Sequence, residues 1–438
     1  MLVIQKNRLS LLWEMLKVDT MNKKEIAYWL LIFTFFTFLS LNRHSRAGIF
    51  DYHSEIWADK AGYNVYLPAL FIYRFDALNF PDSVDYKTKN GFAVDKENNK
   101  IITKYPYGVS LLQSPFWITA CLVGSQLGQK SGYDIIFHQA IDVAASFYFV
   151  LGLFFIYKLL NNTKNQEKIA LTLLFATSGT NLLYYAIWET GMSHIYSFSL
   201  FAILLFLLSK KIFSHRLILI SLIILIVRPI NIVFLVPTLV FFDVASKNEF
   251  VIRMRNLVNT SNIILTIIYS TLLFLPQLMY NNYAFGSWKA NSYQNEGFTY
   301  LNNPKILEIL FAPNNGLFLY APILAVLFVV IILKFERLKK VGYLPILLLS
   351  IYTIMYASWW SYTLGCGFGH RGFVDILPVF IYSLFHVLKI LNSKTLYALM
   401  FVLCLYTIKL TFSYDSCFYG KWDWDWQAYQ QLILTELK

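Results

Sequence analysis

Two stretches decide how this chain is interpreted: DYHSEIWADKAGYNVYLPALFIYRFD, residues 51–76, and KYPYGVSLLQSP, residues 104–115. They are the two ends of the longest polar break in an otherwise apolar sequence, and they hold carboxylates among Tyr, Trp and Pro. The break follows directly after the first apolar run, so we expect it to lie against a membrane surface. The rest of the chain would then be the scaffold that presents it.

Composition indicates a membrane protein. Of the 438 residues, 57% are hydrophobic and only 14% are charged, whereas a soluble domain carries about 25% charged residues. Repeated apolar runs of about 15–20 residues predict an all-α fold that crosses a membrane many times. The net charge of +12 is not interpreted as a nucleic-acid surface, because most Lys and Arg residues lie in short loops, the pattern that orients membrane proteins.

The basic loops give a topology. Lys23 and Lys24 precede the first span, Ile26–Leu41, so segment 1–25 is expected in the cytoplasm and loop 51–127 outside. The moderately apolar Gly108–Leu127 could span the membrane or lie flat along it. Only the flat placement keeps the next two basic loops inside, so we predict juxtamembrane helices within a large first outer loop.

The later part of the chain follows the same rule. The apolar run Leu217–Phe242 is expected to break at Arg228-Pro229 into two short helices, because Pro interrupts a helix. A second outer loop, 280–316, and an outer tail, 413–438, then follow. This predicts one transmembrane domain, 26–412, of about eleven spans. The two helices on either side of the Arg228-Pro229 break are counted here as short spans.

Candidate catalytic groups lie in the first outer loop. Asp51, Glu55 and Asp59 are spaced by four, which would place them on one face if the segment is helical. Three carboxylates so close together repel one another unless they bind a cation, a basic group or a substrate. A solvated polar helix face is the alternative.

Candidate phosphate-binding groups are spread over the predicted outer loops. They are Lys104, His194, Arg228, His370 and Arg371. An Arg guanidinium binds phosphate oxygens in a bidentate manner, and Arg371 lies in GCGFGHRGF, whose glycines allow a close approach to a ligand. Arg228 near a membrane is usually functional, with a residue snorkelling to the interface as the alternative. For His194, an ordinary interface histidine is the alternative.

Aromatic and cysteine residues allow more than one interpretation. Trp359 and Trp360 are interpreted as interfacial anchors rather than sugar platforms, because such belts are general in membrane proteins. The four Cys residues show no CxxC pair and no metal-ligand spacing. No metal or other cofactor is predicted, in line with the family resemblance described next, and a divalent cation stays open. Cys366 and Cys417 both fall outside in this topology and could form a disulfide.

Several motifs resemble the GT-C superfamily of membrane glycosyltransferases, which includes protein O-mannosyltransferases and the lipid A aminoarabinose transferase. Asp59-Lys60-Ala61-Gly62-Tyr63 is similar to their early Asp-Glu-x-x-aromatic motif, with Lys in place of Glu. YPYGVSLL (105–112) is similar to a Pro-Pro-Leu motif that opens a juxtamembrane helix. FGSW (285–288), LFAPNNGLFLYAP (310–322) and GFGHRGF (367–373) look like segments of bacterial glycosyltransferases.

The resemblance implies an inverting transfer of a sugar from a polyprenyl-phosphate donor to an acceptor hydroxyl at the extracytoplasmic face of a bacterial inner membrane. Asp59 would be the base, with Asp51 and Glu55 next. Arg371 would bind the donor phosphate. The next candidates for this role are Lys104, Arg228, His194 and His370. The sugar and the acceptor, whether a glycan, a lipid or a protein, are not determined by the sequence.

Two other classes stay open. A transporter or flippase of lipid-linked glycans would place charges near the bilayer centre and show internal symmetry, and the sequence shows no repeat. An O-antigen polymerase or ligase would also use outer Arg and His residues, but it would not need an Asp-rich first loop.

Overall fold

The computed structural model describes residues 22–163, 165–289, 296–415 and 417–436. Most of the predicted cytoplasmic segment, residues 1–21, lies outside these ranges. The chain is 70% helical, and the strands β1 (Ala93–Asp95) and β2 (Lys100–Ile102) form one antiparallel hairpin. The all-α prediction is confirmed in this sense.

Helices follow one another along most of the chain. The first are α1 (Lys23–His44), α2 (Asp59–Asn64), α3 (Tyr66–Phe71), α4 (Val84–Lys87), α5 (Gly108–Gln126), α6 (Ile135–Leu160), α7 (Gln166–Gly179), α8 (Leu182–Ile187) and α9 (Ser193–Ser209). The next are α10 (His215–Val227), α11 (Ile232–Phe241), α12 (Lys247–Leu257), α13 (Thr260–Phe285), α14 (Ile306–Phe311), α15 (Leu317–Tyr320) and α16 (Pro322–Leu333). The last are α17 (Phe335–Ala357), α18 (Leu377–Leu391), α19 (Lys394–Ser413) and α20 (Trp426–Leu434). Single 3-10 turns lie at Ala77–Asn79, Asn161–Thr163, Pro229–Asn231 and Arg371–Ile376.

Six of the described helical segments are long and apolar enough to cross a membrane. They are α1, α6, α13, α17, the continuous segment Arg371–Leu391, and α19. Shorter apolar helices are α9, α10, α16 and the segment Pro229–Phe241. A membrane-embedded helical protein is therefore supported, whereas the count of about eleven spans stays a prediction.

Burial separates the central helices from the peripheral ones. In the apolar 18-residue stretch of Arg371–Leu391, 72% of the residues are buried within the protein. The corresponding share is 6% in α13 and 11% in α1. The exposed side chains of α13 include Ile264, Ile267 and Leu272. Exposed apolar surface of this extent is stable against lipid rather than water, so α1 and α13 form part of the lipid-facing surface.

The predicted break at Arg228-Pro229 is present. Helix α10 ends at Val227, Arg228 has an extended backbone, and Pro229 begins a new turn. The ring of a proline disfavours helical backbone in the residue before it, which explains where the helix ends. The break turns the Arg228 side chain toward the protein interior.

The first loop differs from the prediction in one respect. Residues 51–58 form turns, and α2 begins only at Asp59, so Asp51, Glu55 and Asp59 do not share a helical face. Ala58, just before α2, has a positive φ of 49° with ψ of −124°, a conformation that is uncommon for residues other than Gly and that separates the turns from the helix. The spacing of four therefore has no structural meaning here.

Two other boundaries also differ. Helix α13 continues to Phe285, so the predicted second loop, 280–316, begins with helical residues. Helix α17 begins at Phe335, so it includes the basic residues Arg337, Lys339 and Lys340. Helix α5 packs against α6 and is not among the six candidate spans. Its flat placement along the membrane stays a prediction.

Candidate active site

A cavity of about 750 Å³ lies where the first loop meets the breaks near Arg228 and Arg371. Seven charged side chains line it: Asp59, Lys60, Lys104, Glu189, Arg228, Glu296 and Arg371. Four of the predicted site residues, Asp59, Lys104, Arg228 and Arg371, are thus brought together although they are far apart in sequence.

Asp59 and Arg371 form the central ion pair of this cavity. Arg371 Nη2 donates to Asp59 Oδ2 at 2.9 Å, across 312 residues of sequence. The Tyr105 hydroxyl donates to Asp59 Oδ1 at 2.5 Å. The side chain of Asp59 is 34% exposed and that of Arg371 is 19% exposed, so both groups are held firmly and still reach the cavity.

The surroundings of Asp59 favour its ionised form. Burial opposes the charge, but Arg371, the hydrogen bond from Tyr105 and the charge of Lys104 outweigh it and lower the pKa of Asp59. Asp59 is therefore a carboxylate at neutral pH. It is a hydrogen-bond acceptor and a weak base.

Close packing places Tyr105 beside Asp59. The ring of Tyr105 lies against Gly62, where a Cβ would collide with it and with the Gly91 carbonyl. At the start of α5, Gly108 similarly lies against the backbone at Ile226, just before Arg228. These two glycines let the first loop approach the break after α10.

Hydrogen bonds to the backbone hold the loop that presents Arg371. Phe368 N–H donates to the Tyr185 hydroxyl at 2.9 Å, and Asn181 Nδ2 donates to the Gly369 carbonyl at 2.7 Å. His370 is fully buried and its Nε2 lies 2.9 Å from the Tyr362 carbonyl. His370 therefore supports the loop and does not line the cavity.

A disulfide adds to this support. Cys366, which lines the cavity, is bonded to Cys417. It closes a loop with a sequence separation of 51, for which chain entropy alone corresponds to roughly 4 kcal/mol of stabilisation.

We therefore expect reduction of the purified protein to raise its intact mass by two hydrogen atoms and to lower its thermal midpoint. Cys366→Ser should show the lower midpoint without reductant and should not respond to reductant further. Cys121→Ser, at a free cysteine, is the matched control. Equal midpoints for the oxidised and reduced wild type would contradict the structural role of the bond.

Arg228 is neutralised by a buried partner. Its Nη1 donates to Asp375 Oδ2 at 2.5 Å and its Nη2 to the Tyr356 hydroxyl at 3.2 Å. His194 Nδ1 lies 2.8 Å from Arg228 Nη1 and 3.0 Å from Asp375 Oδ1. Arg228 reaches the cavity with part of its side chain, whereas His194 is buried behind it.

Two more ion pairs cross the cavity wall. Lys60 Nζ lies 3.2 Å from Glu189 Oε2, and Lys104 Nζ donates to Glu296 Oε1 at 2.6 Å. Lys60, Glu189 and Glu296 were not among the predicted site residues. Lys60 and Glu296 lie in polar loops and Glu189 lies at the end of an apolar run, so the only signal was their predicted position on the outer side.

Asp51 and Glu55 lie elsewhere. The Asp51 carboxylate accepts hydrogen bonds from the backbone N–H groups of Gly48 at 2.6 Å and His53 at 2.8 Å, so it stabilises a turn. Glu55 is buried and its Oε2 lies 2.8 Å from His138 Nδ1. Neither lines the cavity, so Asp59 is the one carboxylate of the predicted three that is placed to act there.

Aromatic side chains form much of the remaining wall. They include Tyr52, Trp57, Tyr63, Phe298, Trp359 and Trp360. Trp359 and Trp360 were predicted to be membrane anchors, yet both face this cavity. Aromatic faces next to charged groups suit a ligand that combines apolar ring faces with polar edges.

Comparison of the chain with protein-family models, with curated proteins and with solved structures finds no match.

Proposed function

We propose that the protein is an inverting glycosyltransferase of the GT-C type, which moves a sugar from a polyprenyl-phosphate donor to an acceptor hydroxyl. One observation carries the proposal. A carboxylate, Asp59, and a guanidinium, Arg371, meet inside one cavity of about 750 Å³. This pair offers an acceptor for a proton and a donor to a phosphate at one place, which are the two groups that such a transfer needs.

Arg371 is suited to the leaving group. A sugar bound to a phosphate leaves as a phosphate anion, which needs no proton but gains stability from cationic donors as its charge develops. The guanidinium has five N–H groups, more than its contact with Asp59 uses. Lys104 and Arg228 add positive charge to the same wall, although Glu296 and Asp375 partly neutralise them.

Asp59 is suited to the incoming hydroxyl. The acceptor oxygen attacks the anomeric carbon, the bond from that carbon to the phosphate oxygen breaks with its electron pair going to the phosphate, and the hydroxyl proton passes to Asp59. A single displacement of this kind inverts the anomeric configuration. The lowered pKa of Asp59 keeps it ionised at neutral pH, so its carboxylate is free to accept the proton.

A lipid-borne donor agrees with the surroundings of the site. A second cavity of about 560 Å³, with an almost entirely apolar wall, is lined by Tyr66, Leu70, Phe71 and Tyr107, among others. Tyr105 and Pro106 line the first cavity, and Tyr107 lines the second. The segment 105–107 therefore borders both a charged cavity and an apolar one, as a donor with a charged head and an isoprenoid tail requires.

The disulfide supports a site outside the cytoplasm. Disulfides persist in oxidising compartments and are rare in the cytosol, and Cys366 is part of the cavity wall. We therefore propose the extracytoplasmic face of a bacterial inner membrane as the location of the site.

The proposal is tested by donor consumption. Wild-type protein in lipid nanodiscs is mixed with a panel of polyprenyl-phosphate sugars and a glycolipid extract of the source membranes, and the released polyprenyl phosphate is measured. We expect release with one donor, together with a new glycosylated product of inverted configuration. Movement of the intact donor across a vesicle bilayer, without release, would instead favour a transporter.

A further inference from the structure

A second group of ionisable side chains lies outside the cavity. His44 at the end of α1, Glu55 in the first loop and Asp142 in α6 are all buried, with 6%, 4% and 0% of their surface exposed. One ligand atom from each lies within 4.8 Å of the other two. We call these three residues the buried cluster; it takes no part in the transfer proposed above.

Distances within the buried cluster match those around a small cation. His44 Nδ1 lies 3.0 Å from Asp142 Oδ1 and 3.7 Å from Glu55 Oε1. Donor atoms about 2.0–2.2 Å from a tetrahedral ion are about 3.3–3.6 Å apart. The three donors therefore already surround a point where a cation would fit after small shifts.

Neighbouring groups orient each member of the cluster. His44 Nε2 lies 3.2 Å from the Trp188 carbonyl, while Nδ1 lies 3.1 Å from the Ser40 carbonyl and 3.0 Å from Asp142 Oδ1. A cation would take the place of the proton that Nδ1 holds between these two oxygens. The hydroxyl groups of Ser40 and Thr190 both donate to Asp142 Oδ1 at 2.8 Å. His138 Nδ1 lies 2.8 Å from Glu55 Oε2, so Oε1 is the oxygen of Glu55 that faces His44.

Charge and hydrogen bonding also favour a bound cation. Glu55 and Asp142 are two buried carboxylates whose ring partners are His138 and His44. When these imidazoles are neutral, the two buried charges lack compensation, which is costly. The Asp142 Oδ2 atom is buried and has no hydrogen-bond partner among the described residues. An ion of charge +2 would balance both carboxylates. A small rotation of the Asp142 carboxylate would let Oδ2 bind the ion while Oδ1 keeps its bonds from Ser40 and Thr190.

We propose that His44, Glu55 and Asp142 bind a first-row divalent cation, with Zn²⁺ or Mn²⁺ as the best fit. One imidazole nitrogen and two carboxylate oxygens suit such ions. The ligands come from α1, the first loop and α6, so the ion would join three separate segments. The Trp188 carbonyl and the Thr190 hydroxyl also contact the cluster, and Glu189 between them lines the cavity.

The role of the ion is therefore structural. It would hold the wall that carries Glu189 without touching a substrate in the cavity. Its presence does not depend on the proposed transfer reaction, and metal content is measured separately from activity.

Metal content tests the proposal. Wild type, Asp142→Asn and His386→Gln are purified without chelator, loaded with Zn²⁺ or Mn²⁺ in separate samples, desalted, and analysed for bound metal. The asparagine can still accept hydrogen bonds from Ser40 and Thr190, so Asp142→Asn should fold. His386 lies in α18, outside the cluster, and serves as the matched histidine control.

We expect about one ion per chain in the wild type and in His386→Gln, and at least a tenfold lower content in Asp142→Asn. Chelation should lower the thermal midpoint of the wild type but not that of Asp142→Asn. Retention of neither metal by the wild type, or equal retention by Asp142→Asn, would overturn the proposal. If Asp142→Asn does not fold, the metal content and the chelator response of the wild type decide alone.

Discussion

Asp59→Asn is expected to lower the rate of sugar transfer by about 10²–10⁴-fold, the contribution typical of a general base. The single side-chain oxygen of asparagine can still accept the hydrogen bond from Arg371, and its NH2 group can donate to the Tyr105 oxygen, so the fold and the cavity should be kept. What is lost is the negative charge and the ability to take the acceptor proton. The measurement is the single-turnover rate with saturating donor.

The split between rate and affinity separates two roles of Asp59. If Asp59 takes the proton, Asp59→Asn lowers kcat and leaves the KM for the donor almost unchanged. If Asp59 only positions Arg371, the KM rises instead. Asp82→Asn is the matched control, because Asp82 lies in the same loop and its side chain is 91% exposed. Near-full transfer by Asp59→Asn would exclude Asp59 as the base.

The pH dependence gives a second readout for Asp59. A lowered pKa keeps the carboxylate ionised until the pH falls below the ordinary range of an aspartate. The acid limb of kcat/KM should therefore lie below that range in the wild type and be absent in Asp59→Asn.

Arg371→Gln is expected to lower transfer by about 10²–10³-fold, or about 2.7–4 kcal/mol of transition-state stabilisation. Glutamine retains hydrogen-bonding capacity but lacks the charge that would stabilise the departing phosphate. Arg371→Lys should recover only part of the activity, because an ammonium group cannot form the two parallel contacts of a guanidinium. The measurements are kcat and the donor KM of both variants.

Arg371→Gln should also change the titration of Asp59. Arg371 is the main group that lowers the pKa of Asp59, so the acid limb should move to higher pH in this variant. Arg337→Gln, at an exposed arginine of α17, should match the wild type in rate and in pH profile. An unchanged rate in Arg371→Gln would remove Arg371 from the site.

The sequence predicted the site where polar residues interrupt apolar runs. Asp59 and Lys104 lie in the longest polar break, Arg228 lies before a proline within an apolar run, and Arg371 lies in a glycine-rich loop. Charges in such places are costly near a membrane unless they have a partner or a function. These features are local in the sequence, so they indicate candidate residues but not which of them meet.

Partner choice was not predictable from the sequence. Glu55 binds His138 and Arg228 binds Asp375, contacts that join residues 83 and 147 positions apart. Local spacing instead grouped Glu55 with Asp51 and Asp59 on a helix that does not form. Burial of His194 and His370 likewise depends on the packing of distant helices, so nothing near them in sequence separates a supporting histidine from one that meets a ligand.

The bond between Cys366 and Cys417 has a consequence for biogenesis. Cys417 follows α19, the last of the described candidate spans, so the loop that carries Arg371 cannot be fastened until that span has been synthesised. Maturation would then require thiol oxidation after membrane insertion, and a cell lacking its thiol oxidants would accumulate inserted chains whose Arg371 loop is not yet fixed.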